Sequence, residues 1–159
     1  MLHMPEGVAS LDAAAECIEL AEHYGPPRDD AQKITLQAWM GTQADSRWAA
    51  AIAAHAMSRQ NGKGAILECI ELYWLIVAGV PVVIHTAHEA DTAAGHQERL
   101  DSLITEPEID LPAIRSYKSN GKERIRNLDE KLLLQFRTRT KATKRGASPQ
   151  KVILDESQE

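Results

Sequence analysis

Apolar residues along much of the chain recur at the three- and four-residue spacing of an amphipathic helix. In the segment 63–78, for example, Ile66, Ile70, Trp74 and Val77 fall on one side of a helix. Breaks in this pattern coincide with glycine and proline, which end helices. The spacing predicts helices over 11–23, 30–42, 63–78 and 88–105.

Short apolar or β-branched runs between polar segments predict strands over 80–86, 114–117, 123–127, 131–136 and 152–154. The run 47–57 also fits a buried strand, although its alanines suit a helix nearly as well. Asn120-Gly121 predicts a tight turn, and 137–150 predicts a polar, basic loop. Helices that alternate with apolar strands predict a three-layer α/β fold.

The composition is that of an ordinary globular domain, with 159 residues, 43% hydrophobic and 26% charged. The longest apolar stretch, 72–84, is broken at Gly79 and Pro81, and it is shorter than the roughly 18 residues that a membrane-spanning helix needs. The N-terminus lacks the pattern of a signal peptide. Cys17 and Cys69 lie on predicted helices, which favours buried thiols in a reducing compartment over a disulfide.

Charge is distributed unevenly along the chain. Residues 1–114 carry 6 basic and 17 acidic side chains, a net charge of −11, whereas residues 115–151 carry 12 basic and 3 acidic ones, a net charge of +9. The last eight residues add −3, which gives the total of −5. A basic segment on an acidic protein predicts a localised face that binds anions.

The segment 58–64, Ser-Arg-Gln-Asn-Gly-Lys-Gly, follows an apolar run and precedes a predicted helix. In a strand–loop–helix unit with Gly-Lys at the turn, backbone N–H groups surround a phosphate and the lysine reaches the outer phosphates. The usual pattern is G-x-x-x-x-G-K-S/T. Here Met57 takes the place of the first glycine and Gly64 that of the hydroxyl residue. Taken alone, the segment fits a surface strand-to-helix turn about as well as a phosphate loop.

Two adjacent carboxylates, Asp155 and Glu156, follow the apolar run 152–154. In open α/β sheets, ligands bind beyond the carboxyl ends of the strands. Asp155 is a candidate magnesium ligand, and Glu156 is a candidate base for an attacking water. A strand that runs into a charged surface loop would give the same pattern. The two partial motifs in this order predict an ATPase more strongly than either does alone.

From Trp39 onward the sequence resembles the N-terminal ATPase domain of tailed-phage terminase large subunits, the motors that package DNA into capsids, and the actinobacteriophage type in particular. The residues that show this resemblance are Trp39, Arg47-Trp48, 58–68, 85–89, 119–121, 136–139, 144–146 and 152–158. An Arg-Gln-Asn-Gly-Lys loop without the first glycine is usual in that family. The resemblance implies an α/β fold of the P-loop NTPase class (ASCE type), a three-layer sheet with flanking helices that is incomplete at its C-terminal end.

The resemblance also implies roles for single residues. Lys63 would contact the β and γ phosphates of ATP. Arg59 and Arg145 are candidates for the arginine that stabilises charge on the transferred phosphate, with Arg145 acting on a neighbouring subunit. Asp155 would hold Mg²⁺ and Glu156 would act on the attacking water. The nucleotide site would further comprise Ser58, Gln60, Asn61, Gly62 and Gly64, with Trp39 in the adenine-side motif, where Met40 replaces the glutamine that often follows.

The resemblance implies ATP and Mg²⁺ as cofactors. It also implies double-stranded viral DNA, the terminase small subunit and the capsid portal protein as partners, a homo-oligomeric ring, no membrane, and the cytoplasm of an infected bacterial host. Residues 1–45 would form a helical segment and 46–159 a partial ATPase core. Family proteins continue past the Asp-Glu pair into a coupling motif and a nuclease domain, so we expect a fragment, a split gene product or a prophage remnant. The alternatives are an inactive remnant that at most binds nucleotide and a helicase-like P-loop ATPase.

Overall fold

Apart from the run 47–57, the predicted order of helices and strands is confirmed by the structure, a computed structural model that describes residues 3–56, 62–105, 113–119, 123–139 and 148–155. The elements are α1 (Asp12–Tyr24), α2 (Asp30–Met40), α3 (Lys63–Ile76), β1 (Val82–Ala87), α4 (Ala90–Thr105), β2 (Ile114–Tyr117), β3 (Arg124–Asn127), β4 (Leu132–Thr138) and β5 (Lys151–Leu154). None of the described helices is both long and apolar enough to cross a bilayer. The predicted turn at Asn120-Gly121 lies outside the described residues.

The chain divides into two compact units, Met1–Tyr73 and Trp74–Glu159, and the division falls inside α3. In the first unit, α1 packs on α2 through small side chains that are fully buried, among them Ala14, Cys17 and Ala21. Helix α2 begins with a capping box, in which Asp29 accepts from the backbone of Gln32 and Gln32 accepts from the backbone of Asp29. The boundary predicted between residues 45 and 46 stays a prediction.

The prediction of a buried strand or helix over 47–57 is wrong for its described part. Thr42 forms isolated bridges with Ser10 and Trp48, but residues 49–56 belong to no helix or strand and 51–56 are exposed. The exposed fraction of Ile52 is 87%. A strand needs a hydrogen-bonded neighbour, and the described residues of this unit offer the segment only the bridge at Trp48.

The second unit contains a sheet in which the described strands follow the order β2-β3-β4-β1-β5. Strand β1 pairs in parallel with both β4 and β5, and β3 pairs antiparallel with β2 and β4. In this register His85 lies between Phe136 on β4 and Ile153 on β5. The carboxyl ends of β1, β4 and β5 therefore meet at one edge of the sheet.

The two faces of this sheet differ in chemistry. The inner face packs on α4: His85 stacks on His96, with ring centroids 4.2 Å apart, and the Gln97 side chain donates to Ser116 and to two backbone carbonyls. Its buried members include Ile114, Ile125, Leu134, Phe136 and Ile153. Because side chains alternate along a strand, the neighbours of these residues form an opposite face, called the open face here. The open face includes Arg115, Tyr117, Arg124, Arg126, Leu133, Gln135, Arg137, Val152 and Leu154, all half-buried or exposed.

Both cysteines are free thiols and both are buried, as the sequence predicted. Burial raises the pKa of each thiol.

We expect Leu134→Ala to lower the free energy of unfolding by about 2–5 kcal/mol, because Leu134 is 1% exposed and its removal leaves a cavity. Leu128, which is 43% exposed, supplies the matched control, and Leu128→Ala should change stability by no more than about 0.5 kcal/mol. Urea unfolding followed by circular dichroism measures both. Equal losses of unfolding free energy in the two variants would contradict the assignment of Leu134 to the buried inner face.

Candidate functional site

Gly62 and Lys63 lie where the predicted phosphate loop meets helix α3. Lys63 is the first residue of that helix, and the Gly62 carbonyl accepts a hydrogen bond of 3.1 Å from the Ala65 amide. Gly62 has φ +78°, a left-handed conformation that glycine adopts without strain. Residues 57–61, which include Ser58, Arg59, Gln60 and Asn61, lie outside the described residues.

The beginning of α3 has the electrostatic character of an anion site. The first N–H groups of a helix have no partner within the helix, and the helix dipole adds partial positive charge there. Lys63 and Gly64 are both half-buried. Lys63 supplies an ammonium group at this end of the helix, and Gly64 has no side chain there. A phosphate is the ligand that such a helix end suits.

Gln32 also contacts the loop, a role of which the sequence shows no sign. Its Nε2 donates to the Gly62 carbonyl over 3.4 Å, a long hydrogen bond. Its Oε1 accepts from the Asp29 amide, and its own amide donates to the Asp29 carboxylate. Gln32 is only 9% exposed. The side chain thus joins the capped start of α2 to the residue that precedes Lys63.

A side chain at position 62 would meet Gln32. A Cβ atom at Gly62 would lie 2.8 Å from Nε2 of Gln32. The capping pattern around residues 29–32 could be recognised in the sequence, since an Asp followed three residues later by Gln before an apolar run is typical of a helix start. That pattern gives no sign of a partner 30 residues away.

A second contact joins the segment directly before α2 to α3. Arg28, which is 6% exposed, donates through Nε to the Sγ of Cys69 over 3.0 Å, and its backbone amide donates to the Glu22 carboxylate. Burial raises the pKa of Cys69, and the Arg28 guanidinium partly offsets that effect. Because Cys69 lies six positions after Lys63, this contact and the Gln32 contact connect the first two turns of α3 and the residue before it to the segment that begins α2.

Trp39, the predicted adenine-side residue, lies seven residues after Gln32 on α2, about 10 Å further along the helix axis. Its ring meets His55 edge-on, with centroids 6.1 Å apart. Met40, which stands where a glutamine was expected, is 2% exposed. The buried glutamine of this helix is therefore Gln32, and it contacts the loop. The role of Trp39 in nucleotide binding stays a prediction.

Asp155 lies at the carboxyl edge of the parallel strands, directly after β5. Its amide donates to the Thr86 carbonyl over 2.8 Å, and the Thr86 hydroxyl donates to the Ile153 carbonyl. These bonds fix the end of β5 to β1. Asp155 is 7% exposed and belongs to no group of three or more potential metal ligands among the described residues. Glu156 and Arg145 lie outside the described residues, so their roles stay predictions.

Comparison with known proteins supports the fold. No family model and no curated protein matches the sequence. Among solved structures, the crystal structure of the HK97 bacteriophage large terminase is similar over 90% of this chain, with a TM-score of 0.73 and 21% sequence identity. The chain spans 31% of the length of that terminase. At this identity the likeness shows a shared α/β fold, in agreement with the fold that the sequence resemblance implied.

We expect Gly62→Ala to destabilise the protein more than Gly79→Ala does. Both glycines have positive φ, and alanine there costs about 1–2 kcal/mol. A Cβ at Gly79 would have no described atom within 4 Å, whereas one at Gly62 would displace Gln32 and cost roughly one further hydrogen bond, about 1 kcal/mol. Chemical denaturation of both variants gives the difference.

The cause of that difference is tested in a Gln32→Ala background. There the additional cost of Gly62→Ala should disappear, because the atom that it displaces is gone. If the additional cost persisted in that background, Gln32 would not be the neighbour that Gly62 accommodates.

Proposed function

We propose that the chain is the ATPase module of a phage DNA-packaging motor, a piece of a terminase large subunit that couples ATP hydrolysis to movement of double-stranded DNA. The observation that carries the proposal is the fold likeness to the HK97 large terminase. The Gly-Lys pair at the start of α3 supports it. The partners of the whole motor belong to the same proposal: a ring of identical subunits, the small subunit and the capsid portal, in the infected host cell.

In this proposal the triphosphate binds at the start of α3. Backbone N–H groups of the first helical turn would donate to phosphate oxygens, and Lys63 would neutralise charge on the outer phosphates. Gln32 would act as a positioning residue, since it donates to Gly62 and so restricts the backbone that lies beside the phosphates. Arg59 and Arg145 are the proposed sources of further positive charge during phosphoryl transfer.

Asp155 fits the magnesium role. Mg²⁺ prefers oxygen ligands and is often held by one or two carboxylates together with substrate phosphates and water. A largely buried carboxylate at the carboxyl edge of parallel strands offers such an oxygen. When bound, the ion would neutralise charge on the phosphates. Glu156, the next residue, would accept a proton from the attacking water.

We expect Lys63→Ala to abolish binding of a fluorescent ATP analogue and to reduce phosphate release to background. The loop would lose the charge that reaches the outer phosphates, and charge-assisted contacts of this kind are the strong ones in phosphate sites. Lys33→Ala is the matched control, because Lys33 is a partly exposed lysine of the same unit that pairs with Glu22. Equal affinity in wild type and Lys63→Ala would remove the loop from the proposal.

We expect Asp155→Asn to remove the magnesium-dependent part of nucleotide binding and to leave binding in EDTA unchanged. An amide keeps the shape of the side chain but carries no negative charge for the cation. Titration with the ATP analogue, with and without Mg²⁺, measures both quantities, and Asp45→Asn at an exposed ion pair serves as control. A full magnesium effect in Asp155→Asn would assign the metal to other residues.

A further inference from the structure

A cleft in the first unit opens between the start of α1 and the turn that follows α2. Its volume is about 480 Å³, which lies within the range of roughly 300–1,000 Å³ that is usual for ligand sites in proteins. All of the residues that line it belong to the first unit. Gly62 and Lys63, where the proposed nucleotide site lies, do not line this cleft.

Two carboxylates, those of Asp12 and Glu16, line the cleft on the side of α1. The two residues lie four positions apart on this helix, so their side chains are neighbours on one face. Both are exposed. Like charges at this spacing destabilise a helix, and a cation that contacts both carboxylates would relieve their repulsion.

Tyr73 of α3 also lines the cleft, although it is only 6% exposed. Its hydroxyl donates to the Glu16 carboxylate over 3.3 Å, a long hydrogen bond. Burial and the nearby Glu16 carboxylate raise the pKa of Tyr73 to about 12, so the hydroxyl stays a neutral donor at physiological pH. No basic side chain of the described residues lines the cleft. The cleft therefore presents two negative charges and one neutral phenol to a ligand.

The rest of the lining suits a long side chain. It includes the small side chains of Ala9, Ala13 and Ala44 and the side chain of Trp48. The methylene stem of a long basic residue packs on apolar surface of this kind while its charged end lies at polar groups. A guanidinium fits the polar end better than an ammonium does, because its planar fork donates to carboxylates through paired hydrogen bonds and is more weakly hydrated.

We propose that this cleft binds an arginine side chain from the basic segment of a second copy of the chain, with the guanidinium at the carboxylates of Asp12 and Glu16. Charge complementarity identifies the partner. Residues 1–73 carry 5 basic and 10 acidic side chains, a net charge of −5, whereas residues 115–151 have a net charge of +9. A contact between the first unit of one copy and the basic segment of another joins surfaces of opposite charge. The inference rests on the proposed function for the ring of identical subunits, which head-to-tail contacts of this kind can close.

The cleft itself is tested with arginine amide, whose binding to the full chain is followed by tryptophan fluorescence. We expect saturable binding that is tighter than that of lysine amide. The double variant Asp12→Asn/Glu16→Gln should lose about tenfold or more in affinity, because a hydrogen bond to a charged group is worth at least that much. Absence of saturable binding to wild type, or equal affinity in the double variant, would overturn the proposal.

Glu6→Gln/Glu19→Gln is the matched control. It removes the same number of negative charges from exposed positions of the first unit that do not line the cleft. Its affinity for arginine amide should equal that of wild type. An equal loss of affinity in the control would show that the net charge of the unit, and not the cleft, attracts the ligand, and would overturn the proposal.

The second copy is tested by sedimentation velocity over a range of protein concentrations at low salt. We expect wild type and the control to associate and Asp12→Asn/Glu16→Gln to stay monomeric at the same concentrations. Added arginine amide should dissociate wild type, a result that requires no variant to fold. Salt should weaken the association, because it screens exposed charges. Arginine amide binding by a chain that stays monomeric at every concentration would exclude the second copy and overturn the proposal.

Titration with the ATP analogue keeps this test apart from the proposed function. Intact nucleotide binding with unchanged association in the cleft variant contradicts the subunit contact alone. Association that depends on the cleft, in a protein that binds no nucleotide, contradicts the ATPase assignment alone. Displacement of arginine amide by the ATP analogue would assign the cleft to the nucleotide and overturn the proposal.

Discussion

The parallel pairing of β1 with β4 on one side and β5 on the other is the constraint on which the second unit depends. Three strands that run in the same direction bring their carboxyl ends to one edge, and this is the edge where open α/β sheets bind ligands. Asp155 reaches that edge because β5 is in register with β1, and the hydrogen bond from the Asp155 amide to Thr86 holds the register at its last position. The same pairing places His85 between Phe136 and Ile153, so the position of the acidic residue and the packing of the inner face are fixed together.

Strand alternation connects that packing to the charge of the opposite face. A shift of one residue would move every side chain of a strand to the other face. On β3 such a shift would bury Arg124 and Arg126 and expose Ile125, which is fully buried. Burial of Ile125 and Leu134 therefore determines where the arginines lie. The basic segment recognised in the composition becomes a localised surface only through this register.

Much of the fold could be predicted from the sequence because the helices and strands of this chain have strong local signals. Helix α1 and strands β1 to β5 were located within about two residues by apolar spacing and turn residues. The run 47–57 was predicted wrongly over its described part. An apolar run becomes a strand only if a neighbouring strand pairs with it, and sequence periodicity carries no information about pairing. The candidate phosphate loop and the candidate metal ligand Asp155 were proposed from local patterns of residue types, and their roles stay predictions. Gln32 was missed because its contact with Gly62 joins residues 30 positions apart, and the helix-capping role of Gln32 already explained its presence.

Several features of the described residues cost stability within the chain. Gly62 takes a left-handed conformation and leaves room for Gln32, so a side chain at this position would be strained and would displace Gln32. Arg28 is buried against a thiol and has an Nη2 without a hydrogen-bond partner among the described residues. Arg115 faces Arg126 across a strand pair. Native proteins break local rules of stability mainly at functional sites. In this chain one such departure is Gly62, directly before α3, where the proposed function requires phosphate groups to bind.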